Sequence, residues 1–244
     1  MTIMPGFDRH PNEVPLLGRL LVAFGEIEVT LAVVVGTVGL GNLERGLRAI
    51  YKVAGMASRL ELADALLQPK FLEAGLDADY TNNREAILHC KTLRNQFAHC
   101  IWADDSGGLY FTDLERAADR GNMLHFNWRH VDATLLTEQL EYFDNTLAGV
   151  ISLENRWLRW AGKKPSYDAP MPKASDRPPA HNPPSQHVPQ WISEEEKRIH
   201  LELAQEVENI GQQPQLPPSV LRLTREEWAA KDAKDARLAG ESPA

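Results

Sequence analysis

The sequence has few cysteines and no glycine-rich phosphate-binding loop, and both absences narrow the classes of protein to which it can belong. Cys90 and Cys100 are its two cysteines, which cannot build a disulfide framework. On one helix they would lie about 15 Å apart, too far for a disulfide. An array of zinc ligands and a serine nucleophile elbow are also missing. The sequence therefore disfavours enzymes built on these motifs, and we expect neither a metal ion nor a cofactor.

Proline is scarce in the first two thirds of the chain and frequent afterwards. Of the 16 prolines, those before residue 163 are Pro5, Pro11, Pro15 and Pro69. A proline-rich segment buries little apolar surface and cannot offset the entropy of its ordering. We predict a folded domain over 12–162, a proline-rich linker over 163–192, and a tail over 193–244.

Excess positive charge is missing too, since the formal net charge is −8. Nonspecific affinity for nucleic acids comes mostly from phosphate neutralisation by lysine and arginine. Indiscriminate nucleic-acid binding is therefore disfavoured, and any such site must be local.

The most apolar stretch, 16–40, is long enough to cross a bilayer. Arg19, Glu26 and Glu28 interrupt it, and charges are costly in a membrane. The residues up to Pro15 lack the apolar core of a signal peptide. We expect this stretch to form a buried helix of a cytoplasmic protein.

Apolar side chains recur with helical spacing in four long stretches. We predict helices over about 16–40, 43–67, 82–99 and 134–160, with Pro69 limiting the second. The residues 101–112 have the pattern of a β-hairpin around Gly107 and Gly108, and we expect a short extended segment around 123–128 to add a third strand. The predicted fold is mainly α: an up-and-down bundle of about four long helices, with a small β-hairpin insert between the third and the fourth.

The apolar seam of the first helix is interrupted at its centre by Glu28. A buried charge without a partner is costly, so this carboxylate needs one. Either Glu28 reaches a backbone amide, a water or the edge of the bundle, or it pairs with Arg94 or orients His99 on a neighbouring helix.

Three polar residues, Arg94, Asn95 and His99, stand near the end of the third predicted helix. The apolar stripe of that helix consists of Ala86, Cys90, Leu93, Phe97 and Cys100. At about 100° per residue, Asn95 and His99 fall roughly opposite this stripe and Arg94 lies on its flank. We therefore expect the three side chains to point away from the core.

This pattern resembles the Arg-Asn-x-x-x-His signature of HEPN domains, the helical family named for higher eukaryotes and prokaryotes nucleotide-binding. The order of the predicted elements over roughly the first 160 residues is similar to that family as well. The resemblance implies a metal-independent endoribonuclease that cleaves single-stranded RNA as a homodimer, with two motifs brought together. It also implies a toxin-like or defence-related role restrained by an antitoxin. Some members of the family lack the activity, so the alternative is a catalytically inactive helical dimer that binds nucleic acid or another protein.

The three residue types suit RNA cleavage. An imidazole such as that of His99 can act as a base or an acid near neutral pH. The guanidinium of Arg94 offers a planar fork of donors for phosphate oxygens. Asn95 could hold the imidazole in one tautomer or contact the substrate. One motif supplies one histidine, whereas the reaction needs both an acid and a base.

Basic residues follow one face of the second helix and the polar side of the third. These candidate RNA contacts are Arg45, Arg48, Lys52, Arg84 and Lys91. Charge stripes are usually solvated surface, but next to the motif such a stripe could guide a phosphate backbone.

Two capping-box patterns occur in the tail, at 193–196 and 224–227. Each precedes a short segment of modest apolar content. These segments could be marginal helices without a target, or they could fold on a protein partner.

Overall fold

The computed structural model describes residues 7–113, 126–165, 172, 175–184, 186–199 and 201–202. This part of the chain is mainly helical and contains a small antiparallel sheet. A 3₁₀ turn at Phe7–Arg9 is followed by α1 (Glu13–Val34), which continues as a π-helical turn (Val35–Gly39), and then by α2 (Leu43–Lys52), α3 (Met56–Glu73) and α4 (Asp77–Ala98). The strands β1 (Cys100–Asp105), β2 (Gly108–Asp113) and β3 (Arg129–Val131) precede α5 (Ala133–Trp160). All of these elements belong to one compact unit, Met1–His200; a second unit, Leu201–Ala244, includes 201–202.

The helices α1 and α5 pack along one another and form the centre of the core. The apolar side chains that α1 buries follow helical spacing, as the sequence predicts, and include Leu20, Phe24 and Ile27. Phe24 meets Phe143 of α5 edge to face, with ring centroids 6.4 Å apart. Each such side chain contributes roughly 1.5–3 kcal/mol to the free energy of folding.

The segment Glu13–Gly39 is long and apolar enough to cross a membrane, and 44% of its most apolar window is buried inside the protein. Core helices of soluble proteins often have such a composition. Its outer face, in contrast, exposes apolar side chains to solvent: Val22 and Val29 are 66% and 48% exposed.

The single helix predicted over 43–67 is wrong, because two helices occupy this range. The chain leaves the helical conformation after Lys52, and Gly55 takes a φ of +78°, which favours glycine. Ile50 and Leu60 are buried on either side of the break. Apolar residues therefore continue to be buried across it, although the helix is interrupted. The helix α3 then continues through Pro69 to Glu73, beyond the predicted end. Burial of Leu67 and Phe71 stabilises this last turn.

The predicted hairpin is confirmed, and β1 and β2 pair with Trp102 opposite Phe111. Residues 126–128 do not form a strand, and 123–125 lie outside the described residues. The third strand instead starts at Arg129 and places His130 opposite Tyr110 of β2. Asp132 follows β3 and accepts a hydrogen bond from the backbone N–H of Leu135 at 2.9 Å, which caps α5.

The described part of the predicted linker lies against the domain. Pro178 and Pro189 are buried, and Trp191 contacts Tyr110 and Trp128 with ring centroids 5.1 and 5.5 Å away. After it, Ser193 and Glu196 make the reciprocal hydrogen bonds of the predicted capping box. The second capping box, at 224–227, lies outside the described residues.

Candidate functional site

The helix α4 buries its apolar stripe and leaves the polar motif at the surface. Cys90, Leu93 and Phe97 are buried. Arg94 and Asn95 are half-buried, and His99 is exposed. The three side chains are therefore accessible to a ligand, and none of them belongs to the core.

The guanidinium of Arg94 is held in place by two neutral neighbours. Its Nη1 donates a hydrogen bond to Oδ1 of Asn95 at 3.0 Å, and its central carbon lies 5.9 Å from the ring centroid of Phe24 on α1. Within the described ranges, no carboxylate forms an ion pair with Arg94. The charge of this side chain is thus available for an anion.

His99 stands at the junction of α4 and β1, where the helix ends. Its backbone N–H donates to the carbonyl oxygen of Asn95 at 3.2 Å. Asn95 therefore contacts both other members of the motif: Arg94 through its side chain and His99 through its backbone. The side chain of Asn95 is engaged by Arg94, so it orients the guanidinium.

One of the alternatives for Glu28 is an ion pair with Arg94. This alternative is wrong, because Glu28 pairs with another arginine. Its carboxylate forms an ion pair with the guanidinium of Arg59 on α3, and each of the two side chains is 21% exposed. The break between α2 and α3 brings Arg59 to this position, since its Nε also donates to the carbonyl oxygen of Val53 at 2.9 Å.

Two of the predicted RNA contacts are paired with carboxylates. Nε of Arg84 lies 3.0 Å from Oδ1 of Asp64, to which the hydroxyl of Tyr80 also donates at 3.1 Å. Arg48 pairs with Glu44 one turn earlier on α2. Such pairs compete with phosphate for the guanidinium.

The other three predicted RNA contacts keep their side-chain charge unpaired within the described ranges: Arg45, Lys52 and Lys91. Arg45 and Lys52 are exposed on α2, which packs chiefly against α1, the π-helical turn and α3. Lys91 is half-buried on α4, one turn before Asn95. Of the five, Lys91 stands nearest to the motif in sequence and on the same helix.

Gln96, between Asn95 and His99, makes a contact that the sequence did not predict. Nε2 of Gln96 donates to the carbonyl oxygen of Ala180 at 2.7 Å, so the C-terminal segment reaches α4 within the motif itself. Phe24 beneath Arg94 was missed as well. No local pattern indicates either contact, because the partners lie 84 and 70 residues away in sequence.

A polar cleft of about 330 Å³, open to solvent, lies apart from the motif, between the first half of α4, α5 and the C-terminal segment. Asn83, Asn145 and Tyr142 contribute to its walls. In the sequence, the adjacent asparagines Asn82 and Asn83 are the signal for this cleft, but such a pair is not specific to a binding site.

Neither thiol is suited to nucleophilic chemistry. Burial raises the pKa of Cys90 and of Cys100 to about 12 in each case. In the described part of the chain, no group of three or more histidine, cysteine, aspartate or glutamate side chains could hold a metal ion.

Comparisons with family models, with curated proteins and with solved structures give no match to this chain.

Proposed function

We propose that the protein is a metal-independent endoribonuclease of the HEPN type that cleaves single-stranded RNA at Arg94, Asn95 and His99. The observation that carries the proposal is the environment of the Arg94 guanidinium. This guanidinium is oriented by Asn95 and Phe24 and has no carboxylate partner in the described part of the chain, while His99, directly after the end of α4, is exposed.

The reaction assigns a task to each group. A base removes the proton of a ribose 2′-hydroxyl, whose oxygen attacks the adjacent phosphorus. The bond from phosphorus to the 5′-oxygen breaks, and an acid protonates that oxygen. The products carry a 2′,3′-cyclic phosphate and a free 5′-hydroxyl. His99 serves as base or acid, and Arg94 stabilises the charge on the phosphorane.

The second proton-transfer group comes from a second copy of the chain, in a homodimer that apposes two motifs. A two-fold axis makes each His99 available to the other motif. One copy acts as base and the other as acid.

The exposed face of α1 is the surface that we assign to this second copy. Its residues are small or apolar and share one side of the helix: Gly18, Val22, Gly25 and Val29. A Cβ at either glycine would meet nothing within 4 Å, so no contact in the described structure explains these helix-weakening residues.

The charges beside this face suit an antiparallel contact between two copies of α1. Arg19 and Glu26 are exposed two turns apart on the same flank, so Arg19 of one copy would face Glu26 of the other. The pairing centres this contact near Val22, on the side of α1 that faces solvent.

The remaining parts of the proposal follow the resemblance. The enzyme acts in the cytoplasm without a cofactor, has a toxin-like or defence-related role, and is restrained by an antitoxin or other protein that binds the C-terminal tail. The exposed cations Arg45 and Lys52, with Lys91, extend the RNA contact beyond the motif.

The test is cleavage of single-stranded RNA by the purified full chain in the presence of a chelator. Cleavage with cyclic-phosphate ends is expected, and His99→Ala abolishes it while the circular dichroism and the melting temperature are unchanged. His10→Ala is the matched control, because His10 contacts Asp104 instead of the motif. Absence of cleavage, or undiminished cleavage by His99→Ala, would overturn the proposal in favour of a binding module.

A further inference from the structure

The described residues of the segment 175–192, here called the strap, cross α4, α5 and the sheet. Backbone carbonyl oxygens of the strap accept hydrogen bonds from three side chains of the helices. These donors are His89 to Pro178 at 2.9 Å, Gln139 to Pro179 at 2.7 Å, and Gln96 to Ala180 at 2.7 Å. The strap therefore covers one flank of α4, the helix that carries Arg94 and ends directly before His99.

At the sheet, the strap is held by His130 of β3 through Asn182. The backbone N–H of Asn182 donates to the carbonyl oxygen of His130 at 2.9 Å. Its side-chain Nδ2 lies 2.8 Å from Oδ2 of Asp132 and 3.0 Å from Nδ1 of His130. A carboxylate accepts only, so the amide presents its NH₂ group to both neighbours.

This arrangement determines which nitrogen of His130 carries the proton. Because Asn182 donates to Nδ1, that nitrogen must accept and is unprotonated. Nε2 lies 3.1 Å from the carbonyl oxygen of Gly107 and must donate. The docked strap therefore selects the neutral imidazole with its proton on Nε2.

A second imidazole lies flat against the first. The rings of His130 and His187 are parallel within 3° and their centroids are 4.0 Å apart. Two neutral rings stack favourably at this distance, whereas two imidazolium ions would repel each other.

We propose that His130, Asn182 and His187 form a proton-sensitive clasp, which holds the strap on the domain while the imidazole of His130 is neutral and releases it when that imidazole is protonated. A proton on Nδ1 of His130 would face the NH₂ group of Asn182, donor against donor. The same proton places a positive charge against the ring of His187. Both effects act on the strap and leave the helices intact.

The other groups around His130 oppose release only in part. Burial and the adjacent His187 disfavour its charged form. The carbonyl oxygen of Gly107, Asp132 before α5 and Asp105 of β1 favour it, and Tyr110 of β2 presents a neutral ring. Burial has the largest effect on the pKa of His130 and His187 the second largest, and the net result is a lowered pKa. In the released strap the pKa returns towards about 6.5. Docking is therefore strongest above that pH and weakens as the pH falls towards the lower pKa of the docked state.

His89 also touches the strap but does not act as a clasp. Burial lowers its pKa, yet its Nε2 donates to Pro178 in the neutral and in the charged ring alike. Arg177, next to it, pairs with Glu85 at 2.5 Å. Protonation of His89 leaves this hydrogen bond in place.

The clasp is tested on the ¹⁵N-labelled full chain by following the indole N–H resonance of Trp191 from about pH 8 to about pH 5. Trp191 reports on docking because it packs on Tyr110 and Trp128, and Trp191→Phe assigns its resonance. We expect the resonance to move to a solvent-exposed position with a midpoint below about pH 6.5. In His130→Gln, whose amide can donate to Gly107 and accept from Asn182 without charging, it stays docked.

If glutamine does not fit at position 130, a second variant tests the clasp. His187→Phe keeps a flat ring but cannot be charged, so the midpoint falls by about 0.5 pH unit or more. His10→Gln is the control and leaves the midpoint unchanged. The clasp is disproved if Trp191 of the wild type stays docked to about pH 5, or if His130→Gln or His187→Phe releases the strap at the wild-type midpoint. None of these readouts depends on RNA cleavage, so a failure of the clasp can be distinguished from a failure of the proposed nuclease function.

Discussion

Arg59 of α3 and Glu28 of α1, 31 positions apart in sequence, form an ion pair at the boundary of the core. Arg59 also donates to the carbonyl oxygen of Val53, and its guanidinium carbon lies 5.2 Å from the ring centroid of Tyr51. One side chain thus links the end of α2, the start of α3 and the middle of α1. The charge in the apolar seam of α1 is accordingly structural.

Replacing Glu28 by alanine should destabilise the fold and spare catalysis. The substitution leaves the partly buried Arg59 without its partner, which we expect to lower the free energy of unfolding by about 1–3 kcal/mol. Urea unfolding of Glu28→Ala, Arg59→Ala and the double variant measures the coupling. The rate of RNA cleavage by folded Glu28→Ala should equal that of the wild type; a rate loss as large as that of His99→Ala would place Glu28 in the site.

The crossing of α2 over the end of α1 should not tolerate a side chain at Gly46. A Cβ there would overlap the backbone nitrogen and Cα of Gly36, and a Cβ at Gly36 would lie 2.7 Å from Cα of Leu43. We expect Gly46→Ala to lower the free energy of unfolding by about 2–4 kcal/mol. Gly18→Ala, where the space is open, is the matched control and should not destabilise the monomer. Equal stabilities of the two variants would contradict the close crossing.

The dimer assigned to α1 should be sensitive to charge on its exposed valines. Val22 is 66% exposed, so Val22→Glu should leave the monomer folded but weaken dimerisation at least about tenfold. Sedimentation equilibrium measures the dissociation constant. Leu72, 62% exposed on α3, supplies the control Leu72→Glu, which should not change it. If both variants dimerise like the wild type, the second copy does not bind through α1.

Among the basic residues near the motif, Lys91 should contribute to RNA affinity and Arg84 should not. Arg84 is engaged by Asp64, whereas Lys91 has no partner in the described part of the chain. For Lys91→Ala, the slope of log affinity against log salt should fall by about one unit. Fluorescence anisotropy with RNA and His99→Ala as the background separates binding from cleavage. A larger loss in Arg84→Ala would reverse this assignment.

Both thiols should resist alkylation while the protein is folded. Burial raises the pKa of Cys90 and Cys100 to about 12, so the thiolate fraction at pH 8 is on the order of a thousandfold below that of a free cysteine. Iodoacetamide labelling followed by mass spectrometry should modify neither residue in the native protein and both in guanidinium chloride. Rapid native labelling of Cys100 would show that its burial is not maintained in solution.

The sequence by itself determined the elements whose signals are local. Helical spacing located α1, α4 and α5, and the apolar stripe of α4 indicated that Arg94, Asn95 and His99 lie at the surface. The hairpin and the capping box at Ser193 were also readable, because turn chemistry and caps depend on residues within four positions of one another. Local side-chain spacing and backbone geometry set these patterns.

Only the tertiary structure decided which distant side chains meet. The partner of Glu28 depends on the break at Gly55, which the apolar period does not reveal because both α2 and α3 bury the same kind of face. Phe24 under Arg94, Ala180 on Gln96 and His187 on His130 depend likewise on how elements far apart in sequence pack. Periodicity states that a face is buried, but the choice of its partner is made by the shape and charge of the other surfaces available to it.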